Sequence, residues 1–434
     1  MAPASFFSHI LIAALVLWSP CCHCSYQANE VDADTHHEVA VRTLLTGNVC
    51  SSNDANHDGL RVIHRHGPCA PPSSRGRPSK LIPEENLLLD ESRAESLRRS
   101  RRMTVPVPQR AAAQRRRESA ATTVPARSGR ALGIANYLVT VGFGTPKKDI
   151  SVVFDTGSDL TWIQCEPCVR SCYQQQEPIF DPASRHRTRT SAAVPPTPGC
   201  SASNCVYAVQ YGDSSYSIGF YAHETITLRD TDVLSNIKIG CGENNQGLFG
   251  QAGGLLGLGR DAVSLVSQAA GKYGKVFSYC LPSNPSSNGY LTMGWTVPIS
   301  GVKYTPMLTD VSAPSFYFST FSGTLVDSGT VISRFPPAAY AALRSAFREQ
   351  MSRYPTAPAL SLLDTCYNFT GYDTVSVPKV MLFFRGNISQ MCLAFAGNGD
   401  PSDLAILGNT QQKTYQVIYD TAKGAIGFGG GGCS

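Results

Sequence analysis

The sequence predicts a mainly β protein of two lobes with a few short helices, and three observations lead to this fold class. The chain has 434 residues, which exceeds one ordinary domain. One strand-and-turn motif occurs twice, with an Asp in each copy. Only residues 83–99, 262–272 and 337–354 have helical patterns, and elsewhere short apolar runs alternate with Gly and Pro turns. Such runs form sheets that pack around a core, so we expect lobes over residues 131–300 and 301–434.

An apolar run at residues 6–18 has the length of a signal-peptide core and is too short to span a membrane comfortably. We therefore expect a signal peptide over residues 1–24. The protein would then enter the secretory pathway and reach the extracellular space or a vacuole. No later apolar run has spanning length and no apolar tail follows residue 429, so we expect no membrane anchor.

The first motif starts with three large apolar residues at 152–154, which are typical of a strand buried on both faces. Asp155 follows at once, and the turn after it supplies hydroxyls at Thr156 and Ser158. A carboxylate at the end of a buried strand lies in a low dielectric, where such hydroxyls can hydrogen-bond it. A single Asp-Thr-Gly is a weak signal, because similar turns close many hairpins.

The motif recurs at residues 324–330, where Asp327 follows an apolar run and precedes two hydroxyls. Each copy is followed downstream by an apolar pair and a Gly, at residues 255–257 and 406–408. Two carboxylates that share one proton can supply both the base and the acid for peptide hydrolysis, because like charges at that distance split their pKa values. We therefore predict a catalytic pair, Asp155 and Asp327; the alternative is two unrelated turn aspartates.

These motifs, in this order, resemble the pepsin-type aspartic proteases, and closely resemble the plant nepenthesin-like group, from about residue 135 onward. The resemblance implies a bilobal pepsin-like fold of two β-barrel-like lobes, with both Asp turns at the base of a central cleft. It implies an aspartic endopeptidase, made as a zymogen, that hydrolyses polypeptide substrates through a water activated by the pair. We expect no cofactor, no metal and a monomer.

The resemblance also implies roles for residues around the pair. The hydroxyl three positions after each Asp would hydrogen-bond its carboxylate, and the hydroxyl next to each Asp would brace the two turns. The intervening glycines would leave room for substrate. Tyr211 falls where the family has a flap tyrosine that closes over substrate, and Trp162 would steady it; ordinary core packing is the alternative for both. The supporting residues are Thr156, Gly157, Ser158, Trp162, Tyr211, Gly212, Ser328, Gly329 and Thr330.

The positive charge of the chain is concentrated in one segment. Residues 61–130 carry 16 basic and six acidic residues, whereas residues 131–434 carry 20 of each sign. Residues 25–130 have few aromatics and cannot bury much surface alone. They are a solvated linker, a segment that binds nucleic acid through its phosphates, or, as the resemblance implies, a basic propeptide that covers the cleft until acid releases it. Residues 60–69 resemble pro-regions of a subgroup with a chloroplast-nucleoid DNA-binding protease, which makes the chloroplast an alternative location.

Ten of the 15 cysteines lie after residue 160, and an even number suits disulfides formed in an oxidising compartment. The cluster at residues 165–172 could instead bind a metal, but no second cluster matches it and only His186 lies nearby. We expect disulfides and leave their pairing open. The candidates are Cys165, Cys168, Cys172, Cys200, Cys205, Cys241, Cys280, Cys366, Cys392 and Cys433.

The second lobe is shorter than the resemblance implies. From Asp155 to Gly257 the chain advances 102 positions, but from Asp327 to Gly408 it advances only 81. About one hairpin is missing before Asp327 and another after residue 385. Lost hairpins leave strand edges unpaired and remove part of a core, so we expect lower stability or activity than in full-length relatives.

Two further sequence features bear on function. Asn368 and Asn387 begin glycosylation sequons, which matter if the chain is secreted. The Gly-rich residues 253–259 lack the Lys of a phosphate loop, which argues against nucleotide binding. The main prediction is an aspartic endopeptidase. The alternatives are a weak or inactive pseudo-protease that binds another protein, and a protease that also binds DNA through its Arg-rich segment.

Overall fold

A computed structural model describes most of the two predicted lobes and parts of the segment before them. In this part of the chain strands far outnumber helices and form two large sheets, which confirms the mainly β, two-lobed fold. The predicted signal peptide, Gly212 and Asn387 lie outside it. The described residues are 36–40, 83–102, 121–124, 126–128, 136–182, 189–190, 200–201, 204–211, 214–247, 249–283, 289–310, 314–319, 323–378, 383–385 and 390–433.

Most strands are short, and the longest two form a hairpin in the first lobe. In chain order the strands are β1 His36–Ala40, β2 Thr122–Val124, β3 Ala126–Ser128, β4 Tyr137–Phe143, β5 Lys148–Asp155, β6 Trp162–Gln164, β7 Arg189–Thr190, β8 Cys200–Ser201, β9 Asn204–Gln210, β10 Tyr216–Arg229, β11 Asp232–Gln246, β12 Gly254–Gly257, β13 Val276–Cys280, β14 Tyr290–Met293, β15 Lys303–Leu308, β16 Phe318–Ser319, β17 Leu325–Val326, β18 Ser333–Phe335, β19 Thr356–Ala357, β20 Cys366–Asn368, β21 Thr374–Pro378, β22 Phe383–Arg385, β23 Gln390–Leu393, β24 Phe395–Gly397, β25 Ile406–Leu407, β26 Tyr415–Asp420 and β27 Ala425–Gly430.

The helices are α1 Pro83–Arg102, α2 Leu265–Gln268, α3 Ala270–Tyr273, α4 Pro337–Gln350 and α5 Asn409–Gln412. The single helix predicted at 262–272 is two short helices, because Ala269 between them leaves helical geometry, with ψ of 4°. The helix predicted at 337–354 ends at Gln350, because Met351 turns away and Pro355 disfavours a helical residue before it. None of the helices in the described ranges is long and apolar enough to cross a membrane.

The strand that carries Asp155 lies inside the first sheet, whose order is β3-β4-β5-β12-β6-β11-β10-β9-β8. β5 has β4 antiparallel on one side and β12 parallel on the other. Gly257 at the end of β12 lies opposite Asp155. The hairpin predicted over residues 205–225 is confirmed as the antiparallel pair β9 and β10. With neighbours on both sides, the end of β5 has little freedom to move.

The second sheet repeats this arrangement around Asp327. Its order is β2-β14-β13-β26-β27-β15-β16-β17-β25-β18-β24. β17, which leads into Asp327, pairs in parallel with β25, so Leu325 and Val326 lie opposite Ile406 and Leu407. The duplicated sequence motif therefore corresponds to a duplicated strand arrangement. β12 is the last strand along the chain that belongs to the first sheet, and β13 already belongs to the second, where it pairs with β26. The lobe boundary at residue 300 stays a prediction.

The largest hydrophobic core joins the two sheets beneath the Asp motifs. Phe154 contacts Tyr279, with ring centroids 5.5 Å apart, and Phe277 stacks on Tyr419 at 4.6 Å. Tyr317 completes this aromatic group and donates a hydrogen bond to the Leu258 carbonyl. Because interiors of this kind are closely packed, the floor below the two motifs is rigid.

Parts of the segment before residue 131 pack on both lobes. β2 pairs with β14 in the second sheet, and β3 pairs with β4 in the first. β1 pairs antiparallel with β21 in a separate two-stranded sheet. α1 is anchored by two buried apolar residues, Leu87 and Leu97, which belong to clusters formed mainly by the second lobe.

Four disulfides have both partners in the described residues, and three of them join residues at least 26 positions apart. The pairs are Cys165–Cys241, Cys168–Cys172, Cys280–Cys433 and Cys366–Cys392. Cys205 is also disulfide-bonded, and β8 places the backbone of Cys200 opposite it. The expectation of disulfides is confirmed for these bonded cysteines, and the thiols of the 165–172 cluster are engaged in two of the bonds.

Candidate active site

Both aspartates lie at the ends of strands inside a sheet. Asp155 is the last residue of β5, and Asp327 directly follows β17. A parallel neighbour, β12 or β25, supports each strand, so the two carboxylates occupy equivalent places in the two lobes. Neither residue is exposed to solvent. Their low-dielectric surroundings make any charge on them strongly dependent on neighbouring groups.

One guanidinium nitrogen contacts both carboxylates. Arg93 Nη2 lies 2.7 Å from Asp155 Oδ1 and 3.1 Å from Asp327 Oδ2. Arg93 Nε also donates to Asp327 Oδ2, at 3.2 Å. The structure therefore brings Asp155 and Asp327 together around one cation, which is contributed by α1 in the segment before the lobes.

The turn after each Asp hydrogen-bonds its carboxylate. Gly157 N donates to Asp155 Oδ1 and Gly329 N donates to Asp327 Oδ1, both at 2.9 Å. Thr330 Oγ1 adds a bond of 2.6 Å to Asp327 Oδ2. Ser158 holds the equivalent position in the first lobe, where its buried hydroxyl contributes to lowering the pKa of Asp155.

Hydroxyls and amides link the two turns to each other. Thr156 N donates to Ser328 Oγ at 3.1 Å, and Ser328 N donates to Thr156 Oγ1 at 2.9 Å. This reciprocal pair is buried and joins residues 172 positions apart in the chain. It fixes the two turns, and with them the two carboxylates, relative to one another.

Each glycine in the turns lies against the carboxylate of the other lobe. A Cβ atom on Gly157 would lie 2.7 Å from Asp327 Oδ1, and one on Gly329 would lie 2.1 Å from Arg93 Nη2 and 2.4 Å from Asp155 Oδ1. These distances are below van der Waals contact, so a side chain at either position would displace an aspartate, and one on Gly329 would also displace Arg93. Only glycine allows the two turns to approach this closely.

An aromatic group stands beside the pair at the first-lobe hairpin. Tyr211, directly after β9, accepts a 2.7 Å hydrogen bond from Trp162 Nε1. Both rings contact Phe249 edge-on. Burial raises the pKa of Tyr211 far above its usual value, so its hydroxyl stays protonated. The structure places Tyr211 and Trp162 together and near the site.

The two aspartates have opposite pKa shifts. Burial raises the pKa of Asp155, but the charge and hydrogen bond of Arg93 and the Gly157 amide outweigh it, so the pKa is lowered. Burial also raises the pKa of Asp327. The charge of Arg93 lowers this pKa and the charge of Asp155 raises it, and the net result is a pKa above the usual value of an Asp. The opposite shifts keep the pKa values of the two carboxylates apart.

Two polar residues of α1 anchor it beside Arg93. The carboxylate of Asp90 accepts hydrogen bonds from the amides of Val331, at 2.5 Å, and Ile332, at 2.9 Å. Arg98, farther along the helix, donates to Asn398 Oδ1 at 2.8 Å. These contacts fix the position of the helix on both sides of the arginine.

The sequence alone did not single out Arg93. It predicts the helix and its basic composition, but Arg93 is one of 16 basic residues in that region. A usable signal is the spacing of Asp90, Arg93 and Leu97 at intervals of three and four, which places an acid, a base and an apolar residue on one helix face. That spacing indicates which face of the helix packs on another surface, but it does not indicate that this surface is the pair of aspartates.

Space remains beside α1 on the side of the first lobe. A cavity of about 310 Å³ borders Arg93 and Tyr211, and Tyr221, Asp159 and Asp261 also line it. Burial raises the pKa of Asp159. The cavity combines aromatic rings with carboxyl groups, so it suits a chain with mixed polar and apolar side chains.

Comparison with known proteins gives matches over both lobes. One family profile, described as Xylanase inhibitor N-terminal, matches residues 137–295, and a second, described as Xylanase inhibitor C-terminal, matches residues 296–390. An aspartyl protease family protein of Arabidopsis thaliana is 44% identical over an alignment that covers 95% of this chain and 96% of its own. Aspartic proteinase nepenthesin-2 of Nepenthes gracilis is 34% identical, covering 68% of this chain and 77% of its own.

Solved structures share the fold. Basic 7S globulin from soybean superposes with a TM-score of 0.55 at 18% identity, covering 71% of this chain and 96% of its own. The aspartic proteinase from Irpex lacteus superposes with a TM-score of 0.52 at 20% identity, covering 72% of this chain and 98% of its own.

Proposed function

The chain belongs to the pepsin-type aspartyl protease family of plants, and we propose that it is an aspartic endopeptidase made as a zymogen. Its substrates are polypeptides, and its catalytic pair is Asp155 and Asp327. The observation that carries this proposal is that two buried carboxylates, placed by equivalent strands of two lobes, contact one nitrogen of Arg93.

The pair performs hydrolysis once α1 has left the cleft. One carboxylate, ionised, takes a proton from a water held between the two as the water oxygen bonds to the peptide carbonyl carbon, and the other, protonated, gives its proton to the carbonyl oxygen. The proton taken from water then passes to the peptide nitrogen as the C–N bond breaks, and a hydroxyl proton of the intermediate returns to the second carboxylate as the new carboxyl group forms. The glycine turns leave room for the peptide, and the hydroxyl and amide bonds keep both carboxylates in place. The pair titrates as a unit, so neither Asp is assigned one role throughout the cycle.

The same contacts explain why the unprocessed chain is inactive in this proposal. Arg93 occupies the place of the water and of the peptide bond, and the charges of both carboxylates hold it. Protonation of either carboxylate removes a favourable interaction with the guanidinium, so docking of α1 is strong near neutral pH and weakens as pH falls. Arg93 and Arg98 contact oxygens of the lobes, which favours a propeptide over a DNA-binding segment.

Processing is expected between Arg102 and Ala121. α1 ends at Arg102, whereas β2 and β3 belong to the two sheets of the body, so a cut between them frees the helix and keeps both strands. We also propose removal of residues 1–24 and passage through the secretory pathway to the apoplast or vacuole. Disulfides and the exposed sequon residue Asn368 support that route.

The test is cleavage of a denatured protein between pH 3 and pH 7 by the purified chain, with Asp155→Asn and Asp327→Asn alongside. We expect activity in acid that either substitution reduces by at least about a hundredfold, because each removes a proton-transfer group. Asp373→Asn, at an exposed position, is the matched control and should retain activity.

A folded wild-type chain that cleaves nothing at any pH would contradict the proposal. It would favour a second candidate, a relative that binds another protein without cleaving it. The description of the matching profiles as xylanase inhibitors is the observation that supports this candidate. Retention of both aspartates argues for the enzyme.

A further inference from the structure

A buried cation lies beneath α1, one strand away from the catalytic turn. Arg334 on β18 has no solvent exposure. Its Nη2 contacts two carboxylates, Asp90 Oδ2 and Glu91 Oε2, each at 3.0 Å. Its Nη1 donates to the Ile332 carbonyl at 2.9 Å, and its Nε has no partner. In the described part of the chain, every carboxylate paired with Arg334 belongs to α1.

The lobe surrounds the Asp90 carboxylate with donors. Besides Arg334, the backbone amides of Val331 and Ile332 donate to its two oxygens. All these donors lie within four residues directly after the motif of Asp327. Three charge-complementary donors converging on one carboxylate form an anion site, and that site belongs to the second lobe rather than to the helix.

Departure of α1 leaves this site without its carboxylates. The guanidinium and the two amides then lose their charged partner, so they favour a replacement anion or water. The enzyme works on peptides that enter the cleft vacated by α1. An acidic side chain of such a peptide is the chemically matched replacement.

The donors of this site lie directly beside the catalytic turn. Val331 follows Thr330, whose hydroxyl donates to Asp327 Oδ2. On the helix, Asp90 precedes Arg93 by three positions, about one turn. An extended peptide advances about 3.3 Å per residue, so a side chain one or two residues from the scissile bond is the nearest to the donors that hold Asp90.

We propose that residues 331–334 form a specificity subsite for a Glu or Asp side chain of the substrate, placed one or two residues from the cleaved bond. Asp90 of α1 is the internal stand-in for that side chain. Arg334 supplies the charge, and the amides of Val331 and Ile332 orient the carboxylate. This inference rests on the proposed protease function.

The experiment uses the full chain after processing in acid. A neutral peptide with one cleavage site is varied at two positions on each side of that site, with Glu and Gln compared at each. Assays run at pH 5, where a free Glu side chain, with a pKa of about 4.3, is largely ionised. Arg334→Gln removes the charge, Arg334→Lys keeps it, and Arg344→Gln on α4, which is paired with Asp364, is the matched control.

We expect the wild type to prefer Glu over Gln by about tenfold in kcat/KM at one of the four positions, since a charge-assisted hydrogen bond exceeds a neutral one. Arg334→Gln should abolish this preference, so that the Glu and Gln peptides are cleaved at equal rates by that variant. Arg334→Lys should restore part of it, and Arg344→Gln should leave it intact.

Equal rates for Glu and Gln at all four positions, in a wild type that cleaves the neutral peptide, would overturn the subsite and leave the protease proposal standing. Absence of cleavage of every peptide would overturn both. If Arg334→Gln does not fold, the Glu and Gln comparison in the wild type decides the matter alone.

Discussion

At the scale of single residues, the catalytic geometry depends on two glycines, which have no side chain. Gly157 and Gly329 let each turn approach the carboxylate of the other lobe, and a Cβ at either position would meet an aspartate oxygen. Thr156 and Ser328 add the cross-links that hold this approach. Placement of the pair is thus a property of four small residues around it.

Gly329→Ala tests this dependence. The added methyl group would lie 2.4 Å from Asp155 Oδ1, so the carboxylate must move, and a displacement near 1 Å costs about a hundredfold in rate. We expect kcat/KM to fall by about that factor with little change in KM. Gly271→Ala, where nothing lies within 4 Å of the new atom, is the control. Full activity in Gly329→Ala would show that the turns tolerate displacement.

At the scale of elements, two of the disulfides close loops of very different length. Cys280–Cys433 joins β13 to the residues after β27 and spans 153 positions. Cys168–Cys172 closes a loop of only four positions. A bond restricts the unfolded chain more when it closes a longer loop, so the first of these contributes more to stability.

Replacing Cys280 and Cys433 together by Ser should therefore lower the free energy of unfolding more than replacing Cys168 and Cys172. Chain-entropy arithmetic gives a difference of about 3 kcal/mol. Urea unfolding of the intact chain near neutral pH measures it, and the short-loop pair serves as the matched control. Equal losses for the two double variants would contradict the entropic account.

One strand of the shortened second lobe has a partner from outside the lobe. β21 pairs with β1, and its residues Val375 and Val377 are buried in the lobe's own hydrophobic cluster. An unpaired strand edge of this kind can pair with another chain, so β1 protects β21 from such association. Lower stability or activity relative to full-length relatives stays a prediction.

At the scale of the whole molecule, the parts predictable from sequence are those encoded locally. A buried strand that runs into an Asp-Thr/Ser-Gly turn can be recognised from about ten consecutive residues. The sequence pattern therefore predicts Asp155, Asp327 and the strands that carry them. Arg93 does not, because its partners are 62 and 234 positions away and any basic residue of the segment satisfies the same composition. Three of the cysteine pairs are also non-local, with separations of 26, 76 and 153 positions. Docking geometry, rather than propensity, decides these features.

Release of α1 as pH falls links pH to the activity of the protein. Arg93→Gln removes the charge that holds the helix while leaving its apolar and Asp90 contacts. A charged hydrogen bond contributes about 1.5–3 kcal/mol, so we expect self-processing at pH 6 to speed up by at least about tenfold. Because less protonation is then needed for release, the onset of processing should shift to higher pH.

Electrophoresis of the purified chain over time, from pH 3 to pH 7, measures this onset. Arg93→Lys keeps a charge and should behave closer to the wild type, while Arg353→Gln, on the surface of the second lobe, is the control. Asp155→Asn with Arg93→Gln should stay uncut at every pH, since release without a catalytic pair gives no cleavage. An unchanged pH profile in Arg93→Gln would mean that the contacts of Asp90, Leu97 and Arg98 hold the helix, and that acid acts on them instead.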